Sequence, residues 1–160
     1  DEMKELEIPI FGNWLARDQM GFSDNIVFLR RREGDSLSFS KKPAPFIWEG
    51  ATVTYVAMQL AYHMGFKEVY LIGVDHRFET KGQPHQVVVT EESDPNHFDE
   101  NYFGKGFRWQ LPDLQRSEEA FRLARQAYEE DGRIILDATL NGALDIFPKI
   151  NYKSLVRKAS

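Results

Sequence analysis

The segment from Gly50 to Val74 constrains the fold most, because its hydrophobic period changes once and abruptly. Val53, Val56, Ala57, Leu60, Ala61 and Met64 recur at alternating steps of three and one, the stripe of a helix, and Gly65 suits its end. Tyr55, Met58 and Tyr62 add a second stripe, so the helix is apolar nearly all round and is expected to be buried on two sides. Val69-Tyr70-Leu71-Ile72-Gly73-Val74 follows at once, a continuous apolar run rich in β-branched and aromatic residues, as in a buried parallel strand.

A second helix and strand come later. Ala120, Phe121, Ala124, Ala127 and Tyr128 form the inward face of a helix running from Asp113 or Ser117 to Asp131, with Glu118/Arg122 and Arg125/Glu129 as outward pairs and Gly132 at its end. Ile134-Ile135-Leu136 is the next strand. Before Gly50 the chain reads as irregular, with strands only at Leu6 to Phe11 and Ile26 to Leu29. Arg30 to Ser40 reads as a loop, and Lys41-Lys42-Pro43-Ala44-Pro45 fits neither a helix nor a central strand.

Between the two helix-strand units, Arg77 to Pro112 loses periodicity and carries Gly82, Pro84, Pro95, Gly104, Gly106 and Pro112, with one strand candidate at Gln86 to Thr90. So long an excursion suggests a lid or binding loop. Phe98, Tyr102, Phe103, Phe107 and Trp109 are expected to anchor its base, leaving a mobile tip near Gly82 to Pro95. Helix, strand, excursion, helix, strand is the pattern of an α/β domain with a Rossmann-like, open, mostly parallel sheet. The 160 residues suit one domain: an irregular part over 1–49, a core over 50–76 and 113–160, and a lid-like insertion over 77–112.

Composition removes several functions. Twenty Lys and Arg against 25 Asp and Glu give a net charge of −5, which argues against nucleic acid or an anionic membrane as partner. The chain has no cysteine, so disulfides, thiolate metal sites and a Cys nucleophile are excluded, and a cytoplasmic location is expected. No apolar run approaches the ~20 residues of a membrane span, and Asp-Glu-Met-Lys-Glu does not open a signal peptide.

In open parallel sheets, ligands bind beyond the carboxyl ends of the strands. The start of the first helix (Gly50, Thr52, Thr54), the pair Asp75-His76, and Asp137, Thr139 and Asn141 are therefore expected to face one crevice. A helix N-terminus bearing Gly and two Thr suits a phosphate, although Thr52 also suits simple capping. Neither G-x-G-x-x-G nor a Walker A motif occurs. Asp75 or His76 suits a general base, and both also suit an ordinary turn after a strand. His97 in the excursion is a further base candidate. No compact spacing supports a metal held by Asp75, His76 and His97, and no metal site is assigned. Tyr102, Lys105 and Arg108, set among glycines, suit ring stacking and phosphate contact, or equally a packed loop with solvated cations. Arg30-Arg31-Arg32 and Lys41-Lys42 read as solvated loops.

The stretch GATVTYVAMQLAYHMGFKEVYLIGVDHRF (Gly50 to Phe78) resembles the central segment of the bacterial branch of the MptE-like 6-hydroxymethylpterin pyrophosphokinase family. DPNHFDENYFGKGFRW (Asp94 to Trp109) and DATLNGALDIFP (Asp137 to Pro148) resemble versions found in bacterial surface-polysaccharide settings. The helix followed by GFKEVYLIGVD is also similar to the bacterial sialyltransferases of glycosyltransferase family 42, which have a Rossmann-like fold, a lid after this strand and a cytidine nucleotide sugar as donor. Thr52 and Thr54 occupy the place of the hydroxyl-rich turn that touches the nucleotide in those enzymes. Their catalytic histidine comes where this chain has Trp109 to Asp113, and His97 stands earlier. Their phosphate-binding lid tyrosines find a counterpart only in Tyr102. The strand and Gly/Asn-rich nucleotide loop that open both groups have no match in Asp1 to Gly50, so a partial sheet is compatible with the pattern.

These resemblances imply a nucleotide-sugar-dependent, glycosyltransferase-like domain of surface glycan assembly, with a nucleotide or nucleotide sugar as partner and no certain cofactor. One alternative is a Mg²⁺-dependent diphosphotransferase in which Asp75 and Asp137 become ligands. The other is a non-catalytic module that completes its sheet as a homo-oligomer.

Overall fold

The computed structural model describes residues 7–32, 34, 36–43, 46–77, 82–89 and 106–156. Among these the chain runs β1 (Ile10–Asn13), a 3-10 turn (Trp14–Ala16), α1 (Arg17–Met20), β2 (Ile26–Leu29), β3 (Arg31–Arg32), β4 (Ile47–Trp48), α2 (Val53–His63) and β5 (Glu68–Leu71). It continues through β6 (Val87–Val89), β7 (Arg108–Gln110), α3 (Leu114–Glu130), β8 (Ile134–Asp137) and α4 (Tyr152–Val156). The fold is α/β.

Among the described residues the strands form four two-stranded sheets rather than one open sheet. Three are parallel, β1 with β2, β3 with β4 and β5 with β8, and β6 pairs with β7 antiparallel. Leu71 stands opposite Asp137, so the carboxyl ends of β5 and β8 lie at one edge, as expected for successive strands joined by a crossover. Ala138 N–H donates to the Leu71 carbonyl and Val74 N–H to Thr139 Oγ1, which extends that junction beyond the strands.

The main core lies between α2, α3 and one face of the β5–β8 pair. Tyr55, Met58 and Tyr62 from α2 meet Ala120, Phe121, Ala124 and Tyr128 from α3, with Leu71 and Ile135 beneath. Phe39, from the connector before α2, sets its ring edge-on to Tyr55, Tyr62 and Tyr128. Two of the buried phenols find carbonyl partners: Tyr128 Oη donates to the Met58 carbonyl at 2.8 Å and Tyr55 Oη to that of Ser38 at 2.9 Å. Burial pushes the Tyr128 phenol up to about 12. The fully buried Gln59 amide donates to the Trp48 and Tyr55 carbonyls and accepts from the Trp48 and Ser40 amides, tying the connector to α2.

Several expectations are corrected here. The apolar stripe from Val53 to Met64 is not the core face of α2, since Val53 is 80% and Met64 53% exposed. The aromatic stripe wins because its rings bury more apolar area and the Tyr55 hydroxyl finds a carbonyl partner. The strand at 69–74 ends at Leu71, and Ile72 is exposed. The region before Gly50 is more regular than expected: β1 includes Gly12 and Asn13, and Arg31 and Arg32 form β3 where a loop was expected. Leu6, Ala44 and Pro45 lie outside the described residues.

The excursion also holds more structure than expected. Val87–Val89 pairs with Arg108–Gln110, and His85 N–H donates to the Leu111 carbonyl while Leu111 N–H donates to that of Gln86. The stretch from Gly82 to Val89, assigned to a mobile tip, is thus tied to the excursion's returning limb, and buried Leu111 anchors it. Phe107, expected to be packed, is 51% exposed. The α3 expectation agrees with the structure in its five inward residues, its two ion pairs and its Gly132 stop at φ +65°.

Candidate functional site

Two pockets take in residues expected at the site. The first, of about 720 Å³, sits at the start of α2 and is lined by Gly50, Ala51, Thr52 and Val53, by Arg31, Arg32, Gly34, Leu37 and Glu49, and by Arg116 of α3. His85 and Gln110, on the two limbs of the β6–β7 hairpin, complete its rim. Among the described residues three guanidinium groups and one carboxylate, that of Glu49, line it. Arg31 is ion-paired with Glu49, and Arg116 donates to the Gly34 carbonyl, so two of the guanidiniums are held in place. Arg32 lies over the rings of Phe46 and Trp48.

Local sequence explains how this pocket forms. Thr52, in extended conformation, caps α2 through Oγ1, which accepts from Thr54 N–H at 3.3 Å. Gly50 and Ala51 precede it with φ of +62° and +59°, a left-handed pair that turns the chain sharply into the helix. A Cβ on Gly50 would stand 2.4 Å from Tyr55 Cδ1 and 2.7 Å from Ala120 Cβ, so glycine is required by packing as well as by backbone. The remaining N–H groups of the first turn and the positive end of the helix favour an anion.

The second pocket, of about 640 Å³, lies between α3 and the segment after β8. It is lined by His76, by Glu118, Arg122, Arg125, Gln126, Glu129 and Glu130 along α3, and by Ala143 to Ile146. His76 Nε2 stands 3.2 Å from Glu118 Oε1, and Arg122 Nη2 donates to Glu118 Oε2 at 2.8 Å. These two contacts, with His76 the larger influence, hold the Glu118 carboxyl below its ordinary range. The His76 side chain is only 11% exposed, tilted against the Phe121 ring, on a backbone with φ +53°. Arg125 Nη1 donates to the Ile146 carbonyl at 2.7 Å and fastens the far wall.

The expected single crevice is therefore divided. Gly50 and Thr52 line the first pocket, His76 lines the second, and Thr54 sits half-buried in the first turn of α2. Asp75, Asp137, Thr139 and Asn141 do gather at the β5–β8 edge but line neither pocket. Asp75 is exposed, and its carbonyl accepts from Ala143 N–H. Asp137 is buried, with Oδ1 accepting from Thr139 N–H at 2.8 Å and Oδ2 from Lys149 Nζ at 2.7 Å. Burial works to raise its pKa, and the bonds from Lys149 and Thr139 outweigh that and lower it. Thr139 Oγ1 receives Val74 N–H, and Asn141 occupies a left-handed turn at φ +56°, a conformation Asn tolerates. Arg108 is exposed on β7 and shares a strand face with Gln110, which reaches the first pocket. His97, Tyr102 and Lys105 lie outside the described residues.

Arg31, Arg32, Arg116, Glu118, Gln126 and Asp145 are among the pocket residues that sequence reasoning missed as ligand contacts. The arginine run carried a signal, its cations, which its flanking charges masked. Among the described residues no group of three or more His, Asp or Glu side chains is placed to hold a metal ion, and no helix is long and apolar enough to cross a membrane. Compared with known proteins, the chain matches no family model, no curated protein and no solved structure.

Proposed function

We propose that the chain is a nucleotide-sugar-dependent, glycosyltransferase-like domain of the Rossmann-like class, related to the MptE-like and family 42 groups it resembles and acting in surface glycan assembly. The observation that carries this reading is the first pocket: the N-terminus of α2, capped by Thr52, ringed by Arg31, Arg32 and Arg116 and bordered by the hairpin of the excursion. Such a setting stabilises the negative charge that grows on the leaving nucleoside phosphate as the bond from the anomeric carbon to the phosphate oxygen breaks. The new bond forms to an acceptor oxygen, whose proton passes to a base. His76, oriented by Glu118, fills that role better than exposed Asp75 because its ring is held. In this reading the first pocket holds the nucleoside phosphate and the second the acceptor, and the transferred sugar lies past the N-terminal end of α3, where the two can meet, with His85 and Gln110 bordering the donor.

Calorimetry and thermal shift with CMP, UDP and GDP sugars test it. Stabilisation by one of them, reduced by Arg116→Ala, is the expected result, and no response to any of the three rejects the reading.

A second reading, a self-associating binding module, draws on exposed Val53, Met64, Phe66 and Ile72. Light scattering separates the two, since a monomer that binds a nucleotide sugar has no need of it. The Mg²⁺-dependent diphosphotransferase alternative loses support from Asp137, whose two carboxylate oxygens are already engaged by Thr139 and Lys149.

A further inference from the structure

We infer that the pocket between His76 and Asp145 is a binding site for an uncharged or cationic polyhydroxyl ligand, such as a neutral or amino sugar, and that it discriminates against anionic sugars.

The charge arrangement carries this. Arg122 is matched by Glu118 and Arg125 by Glu129, so the two pairs add no net positive charge to this pocket. Glu130 accepts from Gln126 and lies 3.5 Å from Lys41. The same wall holds Asp145, an exposed carboxylate with no hydrogen bond or ion pair among the described residues. An anion would meet this uncompensated carboxylate, whereas an ammonium or a hydroxyl would be received by it. The floor supplies the other half of sugar recognition. Ala143 and the edge of Ile146 give the lining some apolar surface for a sugar ring's C–H face, and the buried Phe121 ring backs His76. Glu118, Glu129, Gln126 and His76, held by their contacts along α3, then stand with Asp145 around the ring's hydroxyl edge.

The ligand class follows from charge and lining alone. Its role as the acceptor of a glycosyl group rests on the proposed function. The contrast with the arginine-rich pocket at α2 is what would keep a phosphate-bearing donor and a neutral or amino acceptor from exchanging places.

Amide and side-chain NMR of the full chain, titrated separately with glucose, glucosamine, glucuronate and inorganic phosphate, provides the test. Glucose and glucosamine should perturb His76, Gln126 and Ala143 to Ile146, with glucosamine the tighter. Asp145→Asn should weaken glucosamine about tenfold, the size of one charge-assisted hydrogen bond, and leave glucose nearly unchanged. Glucuronate binding as tightly as glucosamine, perturbation of neither sugar at these residues, or an Asp145→Asn variant with undiminished glucosamine affinity would overturn the inference. Failure of phosphate to perturb Thr52 and Arg116 would count against the proposed donor pocket instead, so the two ideas can fail separately.

Discussion

Arg116 and Glu118 stand two residues apart on α3 and open onto different pockets, Arg116 beside Thr52 and Glu118 at 3.2 Å from His76. At 3.6 residues per turn their side chains leave the helix roughly 200° apart. The first turns of α3 therefore form a partition, and one helix end supplies a cation to one side and an anion to the other.

This partition predicts an asymmetric response to substitution. Arg116→Ala should weaken nucleotide-sugar binding about tenfold or more, and Arg122→Ala, on the opposite flank, should leave it within about twofold. Isothermal calorimetry on both variants checks this, and equal losses would mean that the donor spans both pockets.

Glu118 offers a test of the His76 contact itself. Its carboxyl is held low first by His76 and then by Arg122. His76→Gln should therefore move the Glu118 titration up toward the ordinary value of 4.5 by more than Arg122→Gln does. Carboxyl-carbon NMR titrations read both shifts, and the reverse order would show that the 3.2 Å contact is not maintained in solution.

Two glycines with positive φ predict very different costs. Gly50→Ala places a Cβ against Tyr55 and Ala120 and forces a left-handed alanine, for a loss of about 2–4 kcal/mol. Gly65→Ala meets nothing within 4 Å and bears only the backbone term, about 1–2 kcal/mol. Urea unfolding of the two variants should rank them in that order.

Asp137 makes stability depend on pH with a definite sign. Its carboxyl titrates lower in the folded chain than its ordinary value of 3.8. The unfolded chain therefore binds the proton more readily between those two values, and the stabilisation is complete above the unfolded pKa and lost as pH falls through the folded one. Lys149→Met removes the chief bond lowering that pKa, so the acid-unfolding midpoint should move to higher pH. At neutral pH the same variant should lose about 1–3 kcal/mol, less than for a fully buried pair because Lys149 is 42% exposed. An unmoved acid midpoint would show that another carboxylate governs acid unfolding.

Local pattern was enough for whatever depends on neighbours in the chain. The α3 helix was legible because its small and aromatic residues recur with one period and its charges pair four residues apart. The parallel pairing of β5 with β8 was legible because a helix must carry the chain back between them. The start of α2 announced itself through Gly50 and Thr52, whose backbone roles are local.

Tertiary structure decided what depends on partners distant in sequence. Both stripes of α2 were apolar, and only the rings of Phe39 and Tyr128 selected the tyrosine face as the core. Asp137 looked like a ligand residue until Lys149 closed a loop upon it, because a carboxylate's role depends on which cation reaches it. Arg31 and Arg32 looked like solvated charge until β3 paired with β4 and carried them to the mouth of α2. Periodicity reports which face of an element is apolar, whereas the distance between Thr52 and Arg116, or between His76 and Glu118, exists only once crossovers and loops have closed.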